Sequence, residues 1–337
     1  MPIHYAARTV NGAVWRSKNM NRRNFSKSLL CAAAGAVTLA ARPLAAAESA
    51  PKKVFNCKFA ANVYKWTNLC PNMTKGMSDC DKIKFWYDQG FRAIEDNDMM
   101  KYPPEKQAEM VKTMEKLGMQ MGVFTCGIGS GFWLTSNRDG PKSRPNKEAA
   151  IERIKNAAKT TVENAKRVNA KWVTVIVGTE DRSLEHTYQM ANAIEQLKYA
   201  AEICEKAGVV MVLETLSFTA HPGLWLQKTS DAYAICRSVG SPSCKILFDT
   251  FHQQNTEGSL IRNIDNAFSE IGYFHLGDVP NRTEPGTGEI NFKNLISHIH
   301  NKGYRGLYGM EHRQSDPSPA GDEKLLKAYR DIDVPAV

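Results

Sequence analysis

Val209-Val210-Met211-Val212-Leu213-Glu214 and Lys245-Ile246-Leu247-Phe248-Asp249 are two short apolar runs, and each ends in a carboxylate. Both are rich in aliphatic side chains and begin after Gly or Pro-containing turns, as buried parallel strands do. Between them, residues 229–239 have the spacing of an amphipathic helix. Strand, helix, strand is one βα unit, and the fold depends on how often it recurs.

It recurs along the whole chain. Upstream, residues 56–61, 91–95, 120–125 and 172–177 read as strands, with helices expected over 77–89, 104–116, 146–168 and 187–207. Downstream, 272–276 and 306–311 read as strands, and 259–268, 291–301 and 322–329 as helices. Eight alternations in about 285 residues match an α/β protein of the (β/α)₈ TIM barrel type, in a single domain over 48–337. A doubly wound open sheet competes, but it seldom needs eight units, and no phosphate-binding fingerprint follows the first strand. No linker or composition shift marks a second domain.

The charge belongs to the leader. The chain of 337 residues carries a formal net charge of +9. Residues 1–47 hold Arg8, Arg16, Lys18, Arg22, Arg23, Lys27 and Arg42 and no acid, so the remainder has 37 basic against 35 acidic side chains. A domain so close to neutrality is not built to track phosphates, and no nucleic-acid partner is expected. Arg22-Arg23-Asn24-Phe25-Ser26-Lys27 is a twin-arginine pattern. A short apolar stretch and Ala45-Ala46-Ala47 follow it, so residues 1–47 read as a cleaved export signal. An amphipathic or disordered tail is the alternative, and Met20 would start a more typical leader. The apolar stretch is too short to span a membrane, so a periplasmic product without a stable membrane anchor is expected. Twin-arginine export moves folded proteins, which suits a metal loaded beforehand. Seven cysteines remain after the leader, none in a C-x-x-C pair. Cys70 and Cys80 could pair on oxidation, but buried free thiols are the expectation.

Barrel chemistry gathers at the C-terminal ends of strands. There Glu214, Asp249, His275 and Glu311 close successive apolar runs, about one strand–helix unit apart. Each acid alone could be a strand-end salt bridge. Three carboxylates and an imidazole converging from neighbouring strands would repel and desolvate one another unless a cation sat among them. That donor set suits one divalent ion, Mn²⁺ or Mg²⁺ first, with Co²⁺ or Zn²⁺ also accommodated.

The same residues carry a resemblance. Leu213-Glu214-Thr215-Leu216-Ser217, Phe248-Asp249-Thr250-Phe251-His252-Gln253 and Phe274-His275-Leu276-Gly277-Asp278-Val279-Pro280 are similar to the late-strand motifs of hydroxypyruvate isomerases. So is Asn281-Arg282-Thr283-Glu284-Pro285-Gly286-Thr287-Gly288-Glu289-Ile290-Asn291-Phe292, and Phe59-Ala60-Ala61-Asn62 resembles their opening strand. That family belongs to the xylose-isomerase-like barrels, which include ketose 3-epimerases. The resemblance implies a metal held by Glu214, Asp249, His275 and Glu311, with Glu214 and Glu311 moving substrate protons from opposite sides. Isomerising an α-hydroxy carbonyl needs a base on carbon and a stabilised enediolate, which fits that set. His252 and Arg282 would hold substrate oxygens, Arg being suited to a carboxylate. A salt bridge from Arg282 to Glu284 or Glu289 is the structural alternative.

Other features are weaker. The second strand runs into the acidic Glu95-Asp96-Asn97-Asp98, and Gly127-Ile128-Gly129-Ser130-Gly131 reads as a loop near the barrel mouth. Phe132-Trp133 and Trp225 are candidate apolar walls, with packing against the barrel the alternative. The partner expected is a small hydroxy-carbonyl or sugar substrate; a homo-oligomer is left open. Competing functions for the same site are a ketose 3-epimerase, a keto-sugar lyase or dehydratase, and a non-catalytic periplasmic sugar-binding barrel. Apurinic endonucleases share the fold but want a His-rich multi-zinc site and a basic face, and neither is evident here.

Overall fold

The protein is described by a computed structural model over residues 52–129, 134–140 and 142–335; the leader and Phe132-Trp133 lie outside the described residues. The strands are β1 (Lys58–Asn62), β2 (Ala93–Glu95), β3 (Gln120–Met121), β4 (Trp172–Val175), β5 (Val210–Glu214), β6 (Cys244–Asp249), β7 (Ile271–His275) and β8 (Leu307–Gly309). All pair in parallel in the order β3-β2-β1-β8-β7-β6-β5-β4. The two ends of that order meet. Thr174 N–H donates to the Phe124 carbonyl at 3.0 Å, and Cys126 N–H to the Thr174 carbonyl at 3.1 Å. Parallel bridges Met121↔Ala170 and Thr125↔Thr174 lie on the same seam, so the sheet closes into a barrel.

The helices are α1 (Asp79–Asp88), α2 (Pro104–Lys116), α3 (Lys147–Arg167), α4 (His186–Lys206), α5 (Thr229–Val239), α6 (Thr250–Thr256), α7 (Leu260–Ala267), α8 (Phe292–Asn301) and α9 (Pro319–Ile332). They start where the sequence supplies acceptors for free N–H groups: Ser78, Asn146, Asn291 and Ser318 each cap a helix through the side chain. Two expectations change. α6 begins directly after Asp249, because the Asp249 carboxylate accepts from His252 N–H at 3.1 Å and caps a turn with no amphipathic repeat. β8 stops at Gly309, two residues short of Glu311.

A large apolar layer fills the space between strands and helices. A smaller cluster fills the barrel itself: Ala60, Ala93, Val212, Leu247, Tyr273 and Leu307, one from each of six strands, and Val123 just past β3, with Trp172 of β4 packed against them. Side chains alternate across a strand, so the residues two further along face inward one layer higher. They are Asn62, Glu95, Thr125, Thr174, Glu214, Asp249, His275 and Gly309. The seven cysteines among the described residues are free thiols, Cys70 and Cys80 included.

Candidate metal centre

That upper layer is where the charge sits. Glu214, Asp249 and His275 end β5, β6 and β7. A register shift between Ile246 and Leu247 helps align them. The pairing starts as Ile246↔Ile271 but continues as Leu247↔Tyr273, so Asp249 lies opposite His275 rather than Phe274. Glu311 arrives one layer higher, from the segment just beyond β8. The four side chains are buried, and one ligand atom from each lies within 4.8 Å of all the others. The structure brings together the whole set expected from the strand ends.

Distances define the geometry. His275 Nδ1 lies 2.7 Å from Glu311 Oε2, 3.4 Å from Glu214 Oε1 and 3.9 Å from Asp249 Oδ2. Yet neither imidazole nitrogen is aligned for a hydrogen bond, and Glu214 Oε1 has no partner at all. Buried polar atoms left in this state cost about 1–3 kcal/mol each. A cation between His275 Nδ1 and Glu214 Oε1 would satisfy both atoms, so the residues fit a metal ion on chemistry as well as spacing.

Arg282 takes part as well. Its Nη2 bridges Asp249 Oδ2 at 3.0 Å and Glu311 Oε2 at 2.7 Å, and its Nε–H donates to the Glu311 carbonyl at 3.2 Å. Arg282 therefore pairs with the site acids, not with Glu284 or Glu289. Its backbone is left-handed, φ 53°, an unusual setting for a residue with a Cβ. The turn is held by Arg282 N–H donating to Asp278 O and Arg313 N–H to Arg282 O, both at 2.9 Å. The Asp278 carboxylate in turn accepts from the backbone of Gly286, Gly288 and Ile290. The segment 284–290 thus winds around one buried acid, and that winding aims Arg282.

His252, on α6, is buried and neutral. Burial, with Arg282 nearby, holds its pKa down to about 4. Ser217 N–H donates to His252 Nδ1 at 3.3 Å, so the ring proton belongs on Nε2, which has no partner. Charge separates the two glutamates. Burial and the Glu311 charge push Glu214 up to about 7. Burial would raise Glu311 too, but His275 and Arg282 outweigh it and hold that carboxyl well below the usual range.

A cavity of about 870 Å³ opens over the layer. Glu214, Glu311, His252 and Arg282 line it, with Tyr64, Trp66 and Phe251 as apolar walls. Gly127 lies at its rim, as expected for that loop, whereas Trp225 is buried against His186, ring centroids 4.9 Å apart. Sequence reasoning missed Trp66, Glu95 and Asn97. Asn97 Nδ2 donates to Glu311 Oε1 at 2.6 Å. Glu95 lies beneath His275, its Oε2 3.3 Å from Nε2. Glu95 ends a strand, as Glu214 and Asp249 do, but nothing local in the sequence marks its partners.

The chain matches the family described as "Xylose isomerase-like TIM barrel" across residues 83–332. It is 29% identical to the hydroxypyruvate isomerase of Escherichia coli (strain K12) over 194 residues, 58% of this chain and 74% of that protein. It is 28% identical to the 2-oxo-tetronate isomerase of Cupriavidus necator over 233 residues, 69% of this chain and 86% of that protein. Among solved structures, an AP endonuclease, family 2, from Brucella melitensis superposes with a TM-score of 0.64 at 19% identity. It covers 79% of this chain and 96% of that one, a likeness of fold.

Proposed function

The chain belongs to the xylose isomerase-like TIM barrel family, and from that premise we propose that it is a divalent-metal-dependent isomerase of a small α-hydroxy carbonyl compound. Hydroxypyruvate, giving tartronate semialdehyde, is the first substrate to consider, as the relatives' names suggest. The observation that carries this reading is the buried convergence of Glu214, Asp249, His275 and Glu311 within 4.8 Å at the floor of a cavity.

Glu214, Asp249, His275 and Glu311 would hold a divalent ion, Mn²⁺ or Mg²⁺ by their donor set, which would stabilise the negative charge that develops on substrate oxygen. The chain's own residues do the rest. Glu311 lines the cavity, held by Asn97 and Arg282, and can accept a proton from a substrate carbon. Glu214 reaches the site from β5, three strands away around the barrel, and can return a proton to the adjacent carbon. Arg282, whose Nη2 and Nε are taken by Asp249 and Glu311, has Nη1 to offer a substrate oxygen, and His252 Nε2–H donates to a second oxygen. Trp66 and Phe251 exclude water from one side.

The cavity volume favours a second substrate reading in the same class. About 870 Å³ is ample for more than three carbons, so a four-carbon 2-oxo acid fits the same proton transfer, and a ketose could be epimerised if Glu214 returns the proton to the same carbon from the opposite face. The twin-arginine pattern adds the proposal that the barrel works after export, in the periplasm.

The test is exchange of substrate C–H protons in D₂O with Mn²⁺-loaded protein and a panel of hydroxypyruvate, 2-oxo-tetronate and ketoses. Exchange that is lost on EDTA treatment and in both Glu214→Gln and Glu311→Gln is expected. Saturable binding with no exchange for any compound would replace the isomerase by a sugar-binding barrel.

A further inference from the structure

The acidic end of β2 has no part in the reaction above, yet Glu95 is among the most enclosed carboxylates of the protein, with no solvent exposure. Its Oε1 accepts from Asn62 Nδ2 at 2.9 Å, and its Oε2 from the Tyr273 hydroxyl at 2.8 Å. Among the described residues, the one basic side chain within 4.0 Å is His275, through Nε2 at 3.3 Å. An anion held inside a barrel by two neutral donors is costly unless it serves a positive or strongly polarised neighbour. Here the neighbour is the imidazole whose other nitrogen faces Glu214, Asp249 and Glu311.

The backbone around this contact leaves room for it. A Cβ on Gly309 would lie 2.0 Å from Glu95 Oε2 and 2.7 Å from His275 Cδ2. A Cβ on Gly122 would lie 2.5 Å from the Tyr273 hydroxyl. Both positions lack a side chain where the row Tyr273–Glu95–His275 passes, so the row occupies space that any other residue would fill. Asn62, Glu95, Tyr273 and His275 come from three different strands, and the contact spans the barrel interior.

Glu95 Oε2 lies 3.3 Å from His275 Nε2 without the alignment of a hydrogen bond, and we propose that a small turn of the ring towards a bound ion completes one: Glu95 is the positioning residue of the metal centre, accepting the Nε2 proton of His275 while Nδ1 serves as the ligand. This rests on the metal reading of the preceding subsection. Neutral imidazole carries one proton, and the nitrogen that carries it cannot bind a cation. Three carboxylates crowd Nδ1, and a cation bound there leaves the one imidazole proton on Nε2. A carboxylate behind the ring gives that proton an acceptor, fixes the ring's direction and makes the ligating nitrogen more basic. Glu95 touches neither substrate nor ion; it acts through His275.

Titration of Mn²⁺ into the EDTA-stripped full chain, followed by heat, reads the effect without turnover. Wild type should bind one ion, and Glu95→Gln, close in shape but a poorer acceptor, should bind about 10–100-fold more weakly. The thermal midpoint of the metal-free variant should stay within a few degrees of wild type. Equal affinity in wild type and a folded Glu95→Gln overturns the positioning role and leaves the metal reading intact. No binding by wild type removes both. If Glu95→Gln does not fold, wild type decides the matter alone. In Zn²⁺-loaded protein labelled with ¹⁵N-histidine, His275 should keep a slowly exchanging proton on Nε2 with the ion on Nδ1. The reverse arrangement overturns the proposal.

Discussion

Replacing Arg282 by leucine should destabilise the metal-free protein severely and the metal-loaded protein much less. Arg282 Nη2 is the shared partner of Asp249 and Glu311, and its side chain is only 13% exposed. Removing one member of a buried ion pair costs about 3–5 kcal/mol, because the other charge is left without compensation. In a domain of this size 1 kcal/mol moves the thermal midpoint by about 2–4 °C, so a fall of roughly 6–20 °C is expected in EDTA. A divalent cation among the same carboxylates replaces the lost charge, so saturating Mn²⁺ should restore most of the fall. The assay is calorimetric unfolding of wild type and Arg282→Leu, each with EDTA and with Mn²⁺. A loss of the same size under both conditions would refute the reasoning, as would no loss in EDTA. In the loaded variant, substrate should bind more weakly while the ion still binds.

Other outcomes follow from the same geometry. Gly309→Ala places a methyl 2.0 Å from Glu95 Oε2. It should cost about 1–3 kcal/mol by overpacking and weaken Mn²⁺ binding, and unchanged affinity on titration would contradict it. His312 is buried against Tyr329, its Nε2 2.6 Å from the hydroxyl, and burial lowers its pKa from 6.5 to about 4. Between those values the unfolded chain takes up a proton that the folded chain resists, so stability from this group falls as pH drops through that window. The midpoint difference between wild type and His312→Gln should therefore shrink from pH 6.5 towards 4; a constant difference would argue against it. For the leader, changing Arg22 and Arg23 to lysine should stop export. N-terminal sequencing of the exported protein should begin at Glu48, and an exported chain that retains residues 1–47 would contradict the cleavage reading.

Most of the barrel was legible because its signals are local. Helices 104–116 and 229–239 have the bounds that spacing predicts, and Glu214, Asp249 and His275 end the strands whose apolar runs announce them. Three things were not legible, for different reasons. α6 has no apolar repeat; it exists because the Asp249 side chain caps it. Glu95 and Asn97 look like a solvated acidic turn, and their partners Tyr273, His275 and Glu311 lie far along the chain, so only barrel closure reveals them. The alignment of Asp249 with His275 depends on a register shift between β6 and β7, which no periodicity in either strand encodes. For Arg282 the residue type suggested anion binding, but its pairing with Asp249 and Glu311 follows from the fold of 278–290 around Asp278.

The central claim is that one divalent ion sits where β5, β6 and β7 end and Glu311 returns. Crystals of the Mn²⁺-loaded protein, measured on both sides of the manganese absorption edge, test this directly. The account predicts a single anomalous peak with Glu214, Asp249, His275 Nδ1 and Glu311 each about 2.0–2.3 Å away. A peak elsewhere, or none at saturating Mn²⁺ with Arg282 still bridging Asp249 and Glu311, would contradict it.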